Sequence, residues 1–251
     1  MHDCDGWLRH DVTVIDPKQL WDFDDPAGSE RRFRDAARAA EGEERAILLT
    51  QVARALGLQS YYDEAHRLLD ELDASGPNAA ARAALERGRL HRSSGQPDAA
   101  APYFVEAARL AEDADLDELR VDAMHMTALV VEPDRARSVN EAALKVARAS
   151  TDPGARDWDA SLLTNIGMTH ADAGDHAAAL VSFEEALEAR QRIGGVPEIR
   201  VARWMVAWSL RNLGRRDEAL AMQLALKAEL DADGEVDAYV DEEIALLQPG
   251  T

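Results

Sequence analysis

The sequence predicts an all-α protein built from paired helices stacked in series. Three observations carry that expectation. Apolar residues recur at three- and four-residue intervals along most of the chain, the period of a helix with one buried face. Short breaks at Gly95, followed by Pro97, and at Gly174, followed by Asp175, interrupt that period where one helix should stop and the next start. Equivalent side chains then return at intervals: Phe33, Leu69 and Phe104 are 36 and 35 residues apart, and Phe183 and Gln223 follow at steps of 79 and 40. The step of 79 spans one degenerate pair.

Composition sets the outer bounds. A chain of 251 residues with 46% hydrophobic and 30% charged side chains suits a soluble, ordered protein, and one continuous array fits this length as well as two globular domains. No apolar run approaches a membrane span, and the opening MHDCDGWLRHD lacks the basic and apolar regions of a secretory signal. Cys4 is the single cysteine, so no internal disulfide framework exists and a reducing, cytoplasmic setting is expected. The net charge of −20 is concentrated at the ends: residues 1–30 hold eight acids and two bases, and residues 229–251 hold eight acids and no base. Phosphate and anionic lipid both call for clustered Lys and Arg, so nucleic acid and membrane surfaces are excluded as partners.

Taken in order, residues 1–25 read as an irregular lead-in. Acids before Pro26 make a helix start, and Phe33 and Ala36 then repeat the relative positions of Phe183 and Ala186. This reads as a second helix whose first helix is missing or irregular, with Trp21 and Phe23 expected to cover its exposed end. The first full pair places Leu49, Val52, Ala53 and Leu56 on one face, then Ala65, Leu69 and Leu72 on the next. In the second pair Gly88 and His91, then Ala100, Phe104 and Ala107, fall in register, although Arg87 occupies an apolar slot. The third, from about Leu116 to Ser150, is broken at Pro133 and lacks the Gly and Phe slots. A polar linker from Ser150 to Asp159 is expected to follow.

The fourth pair, Leu162 to Arg192, is the most regular. Leu163, Ile166, Gly167 and His170 share a face, Ala179, Phe183 and Ala186 share another, and Gly174 supplies the turn. Asp175 offers its carboxylate to the N–H groups opening the second helix. The fifth pair keeps Val206, Ala207, Leu210, Gly214, Ala219 and Leu226 but carries Gln223 in the Phe slot. Residues 231–251 read as an acidic linker and one more helix, which either caps the stack or docks onto another chain.

The pattern of Leu163, Gly167, His170, Ala179, Phe183 and Ala186 around Gly174 is similar to a tetratricopeptide repeat, and the resemblance extends over residues 26–230. It implies a right-handed superhelical α-solenoid of about five antiparallel helix pairs plus a terminal helix. It also implies a non-enzymatic protein that binds a protein or peptide in a groove lined by the first helix of each pair. On that projection the groove presents Arg54, Arg82, Arg89 and Arg92 in its N-terminal half. The C-terminal half presents Thr164, Asn165 and Met168, followed by Trp204, Trp208 and Arg211. Guanidinium groups in an acidic protein point to a carboxylate-rich ligand, Asn165 to a peptide backbone, and the tryptophans to an apolar side chain. The full Lys and Asn set with which family members clamp a C-terminal carboxylate is lacking, so that specificity is not implied.

Each of these assignments has a plainer competitor. The arginines are also placed to pair with Glu86 and nearby acids, and the tryptophans to pack against the neighbouring repeat. His91 and His170 fill a slot between helices rather than ligate. The run HADAGDH, with His170, Asp172, Asp175 and His176, lacks the i, i+4 spacing of a helical zinc pair, and Asp175 is already a cap. His2, Cys4 and His10 make at most an adventitious metal site. No nucleophile elbow, phosphate loop or H-E-x-x-H motif is present, and Glu184–Glu185 and Glu242–Glu243 read as solvated helix faces. The expectation is an adaptor with no cofactor. The alternatives are a self-assembling scaffold joined through its terminal helices and a small-molecule sensor. A variant of the adaptor has an acidic terminus occupying the groove.

Overall fold

The computed structural model describes residues 16–248, and among them the structure is helical with no strand. A single 3-10 turn, Pro17–Leu20, precedes α1 (Pro26–Ala39), α2 (Gly42–Leu58), α3 (Tyr62–Asp70), α4 (Pro77–Ser93), α5 (Pro97–Asp113) and α6 (Asp117–Ala128). There follow α7 (Pro133–Ala149), α8 (Pro153–Asp157), α9 (Asp159–Asp172), α10 (His176–Ile193), α11 (Val196–Asn212), α12 (Arg216–Asp233) and α13 (Ala238–Leu247). Each helix packs chiefly on its sequence neighbours, which is the contact pattern of an α-solenoid. Five pairs form: α2 with α3, α4 with α5, α6 with α7, α9 with α10, and α11 with α12.

Starts and stops follow local chemistry. Asp25, Asp152, Asp175 and Asp237 accept backbone N–H groups of the helices they precede, at 2.8 to 3.0 Å. Proline occupies the first turn of α1, α4, α5, α7, α8 and α11, where a missing N–H costs nothing. Pro133 thus opens α7 and marks the turn of the third pair. The expected linker from Ser150 to Asp159 is corrected: capped by Asp152 and started by Pro153, it folds into α8, and Asp159 already opens α9.

In four of the five pairs the turn between the helices takes a left-handed residue: Gly95, Gly174 and Gly214 at φ of 82°, 78° and 77°, and Ser60 at 65° in the first pair. Counting from these residues, the slot seven before and the slot nine after face each other. Two pairs fill them with Gly88 and Phe104, and with Gly167 and Phe183; each phenyl ring lies where a Cβ on its glycine would come within 2.4 or 2.5 Å. The first pair uses Ala53 and Leu69, the fifth Ala207 and Gln223. Phe104 and Phe183 are at most 1% exposed, so the absent Cβ is what lets each ring seat between its two helices.

Gln223 is fully buried and neither its Nε2 nor its Oε1 finds a hydrogen-bond partner among the described residues. A desolvated amide without partners lowers stability, so Gln223→Met, similar in size and free of polar hydrogens, should raise it by about 1–2 kcal/mol. Chemical denaturation of the two proteins checks this, and an unchanged or lowered midpoint would contradict it.

Both ends of the stack are covered. Trp21 meets Phe33 edge-on at 5.0 Å and stacks on Phe23 at 4.8 Å, closing the face of α1 that has no first helix. At the other end α13 buries Val240, Glu243 and Leu247 against α11 and α12.

Candidate functional site

Two neighbouring cavities lie along the wall formed by the first helices. The larger, about 520 Å³, is lined by Gln51 and Arg54 of α2, Arg82 and Arg89 of α4, Asp122 of α6 and, across from them, Trp158. The segment before α1 closes its edge. Lys18 forms an ion pair with Glu118 of α6 at 2.6 Å, and the Trp21 indole donates to Gln51 Oε1 at 2.9 Å. The second cavity, about 460 Å³, is lined by His125, Ser161, Thr164 and Asn165, with Arg190 and the start of α11 opposite.

The four arginines expected at the N-terminal half have different fates. Arg89 is consumed by acids: one guanidinium nitrogen bonds Glu86, and another bonds both Asp122 oxygens at 2.7 and 2.6 Å. Burial would lower its pKa, but Asp122 and Glu86 overcome that and hold it above the usual arginine value. Arg54 has no hydrogen bond or ion pair among the described residues; its guanidinium lies over the Trp21 and Phe23 rings, 5.4 and 5.3 Å from their centroids. Arg82 donates only to Asn78 Oδ1, at 2.8 Å. Burial, followed for Arg54 by the nearby Arg89 charge, pushes the pKa of Arg54 and of Arg82 down. Arg92 is exposed and lies outside the cavity lining.

In the second half Asn165 lines the second cavity and bonds His125 Nδ1 at 3.1 Å, while Met168 is exposed outside it. Burial lowers the His125 pKa. Arg190, not expected from the sequence, reaches the same cavity, bonds Ser161 Oγ at 2.9 Å and has no carboxylate partner among the described residues. The last three expected residues are drawn toward the terminal helix. Arg211 donates twice to the Glu243 carboxylate of α13, at 2.7 and 2.9 Å. Trp204 packs with Leu226, Leu230 and Val240 and lies edge-on to Tyr239 at 6.2 Å. Trp208 is half-buried, with the His176 ring edge-on to it at 5.4 Å. The structure therefore gathers Arg54, Arg82 and Arg89 in one cavity and sets Asn165 in the next. Trp204 lines a further cavity of about 250 Å³ that shares Val201 and Met205 with the second, whereas Trp208 and Arg211 are outside the lining of all three.

His170 is half-buried on α9. His91 is half-buried and stacks on Tyr103 at 5.3 Å, and Asp175 caps α10. Among the described residues no three His, Cys, Asp or Glu side chains gather as metal ligands; His2, Cys4 and His10 lie outside those residues. No helix of the described residues is long and apolar enough to cross a membrane.

Paired helices, glycine–phenylalanine seating and a wall of first helices define a helical-repeat protein with a lined groove. Residues 158–224 match the tetratricopeptide repeat family, and the fold of the chain is similar to that of solved structures with TPR-like repeats. It is similar to BtubC (BKLC) from P. vanneervenii, with 17% identity over 89% of this chain and 94% of that one and a TM-score of 0.63. A putative kinesin light chain from Podosopora anserina with nearly identical TPR-like repeats is 15% identical over 77% of this chain and 99% of that one, at a TM-score of 0.58. The apo form of RapI is 13% identical over 88% of this chain and 63% of that one, at 0.62. These likenesses are of fold. No curated protein matches the sequence.

Proposed function

We propose that the chain is a non-enzymatic adaptor that captures a protein or peptide segment, acidic in character, along the wall of its first helices. One observation carries this reading. In a chain where acids outnumber bases 48 to 28, Arg54, Arg82 and Arg190 face two adjoining cavities with no carboxylate partner among the described residues. Elsewhere most arginines are matched: Arg148 with Glu185, Arg200 with Asp233 and Glu235, Arg203 with Glu229. Guanidinium groups left unmatched beside Asn78 and Asn165 suit an extended ligand that brings its own carboxylates and backbone amides.

Selection from a library of terminally blocked peptides tests the proposal. Enriched sequences should be acidic, and their affinity should fall by about ten- to a hundredfold in a protein carrying Arg82→Gln and Arg190→Gln together. Affinity should also weaken as salt is raised. Peptides that bind both proteins equally, or a selection with no acidic preference, would overturn it.

A further inference from the structure

We infer that the larger cavity is a discrete subsite for a carboxylate carried on an aromatic or apolar group, a deepening of the groove reading above. The charges are arranged for it. Of the four acids lining this cavity, two are paired with cations and two accept only backbone N–H groups. Asp16 accepts the Lys18 N–H at 3.0 Å, Asp152 accepts that of Gly154 at 2.9 Å, Glu118 holds Lys18, and Asp122 holds Arg89. Arg54 and Arg82 are the two cations of the lining left without a carboxylate among the described residues. An entering anion therefore meets two guanidinium groups that no acid of the lining pairs with, while Asp16 and Asp152 are exposed at its edge to solvent.

Both guanidinium groups are also positioned in advance. Arg54 rests on the stacked Trp21 and Phe23 rings, and Arg82 is held by Asn78. Little side-chain freedom remains to be lost when a ligand binds. Apart from Gln51 and Asn78, the uncharged lining is apolar: Phe23 is 58% exposed, and Trp21, Trp158, Leu116, Leu119 and Pro17 join it. The volume of about 520 Å³ exceeds what a carboxylate alone would fill and falls within the range of small-molecule sites, roughly 300–1,000 Å³. The ligand must bring an apolar body as well as a charge. Two of the aromatics, Trp21 and Phe23, come from the segment before α1, so the subsite is not a product of the repeats alone.

Two sources could supply this chemistry, a free aromatic acid or an acidic residue beside an aromatic one in a peptide. Calorimetric titration of the full chain with phenylacetate and with a terminally blocked Ala-Phe-Glu-Ala peptide separates them. Phenylacetamide and the Gln counterpart of the peptide serve as uncharged controls. Binding of either acid, absent for its uncharged control, supports the subsite. It should weaken by at least about tenfold in Arg82→Gln and in Arg54→Gln, and be unchanged in Arg92→Gln, which alters an exposed side chain outside the lining. Arg82→Gln leaves the Trp21 and Phe23 stack untouched, so its loss is not a loss of the cavity wall. Phenylacetate binding without peptide binding assigns the subsite to a small acid, and the peptide selection then judges the groove on its own. Equal binding of charged and uncharged probes, unaltered affinity in Arg82→Gln, or no binding of either acid up to about 10 mM would overturn the inference.

Discussion

Arg89→Leu is expected to destabilise the array by about 3–5 kcal/mol, because it leaves two carboxylates without the guanidinium that both now pair with. Glu86 is 1% exposed, and its second oxygen, Oε2, is buried without a partner, so it has no water to fall back on. Asp122 is only slightly better placed, with 15% of its side chain exposed. For a chain of this size the loss corresponds to a fall of roughly 10 °C in melting temperature. Replacing Glu86, Arg89 and Asp122 together by Leu, Met and Leu should recover most of it, since removing a buried ionic group whole is far cheaper than breaking it. Thermal melts of the single and triple variants decide the matter. A single variant within about 1 kcal/mol of the parent would show that the network carries no stability.

Phe183→Ala should cost about 3–5 kcal/mol by opening a cavity between α9 and α10. The effect should be local, as expected for stacked units coupled to their neighbours. Amides of residues 159–193 should exchange faster, while those of α4 and α5 keep their protection. The glycine opposite gives a sharper test. Gly167→Ala alone forces its Cβ to within 2.5 Å of the Phe183 ring and should cost about 1–3 kcal/mol. Combined with Phe183→Leu, the pair reproduces the Ala53 and Leu69 arrangement, and the double variant should be more stable than the sum of the two changes predicts. Strict additivity of the two would contradict the seating described above.

The stack was legible in the sequence because its recurring slots are short-range. Gly174, Phe183 and Asp175 lie within one turn-and-helix unit, and local chemistry alone assigns them. The short helix Pro153–Asp157 was missed because its five residues are too few to show a period, although Asp152 and Pro153 carried the start signal. The candidate site was only half legible. The expected arginines could be placed on the first helices, but the partners of two of them lie one repeat away: Asp122 for Arg89 and Glu243 for Arg211, 33 and 32 residues distant. An acid at that separation does not tell the arginines apart, because Arg54 has Glu86 at 32 residues and Arg82 has Asp115 at 33. Lys18 and Glu118 are 100 residues apart, and nothing in the pattern foretold that contact.

The facing slots within each pair also fix how such an array can be rearranged. A helix that carries phenylalanine cannot follow one that carries alanine without a collision, and a helix that carries leucine leaves a hole behind a glycine. The unit that can be duplicated, deleted or transplanted is accordingly the whole hairpin, cut in the connections between pairs. Chimeras spliced at the glycine turns inside a hairpin inherit mismatched halves.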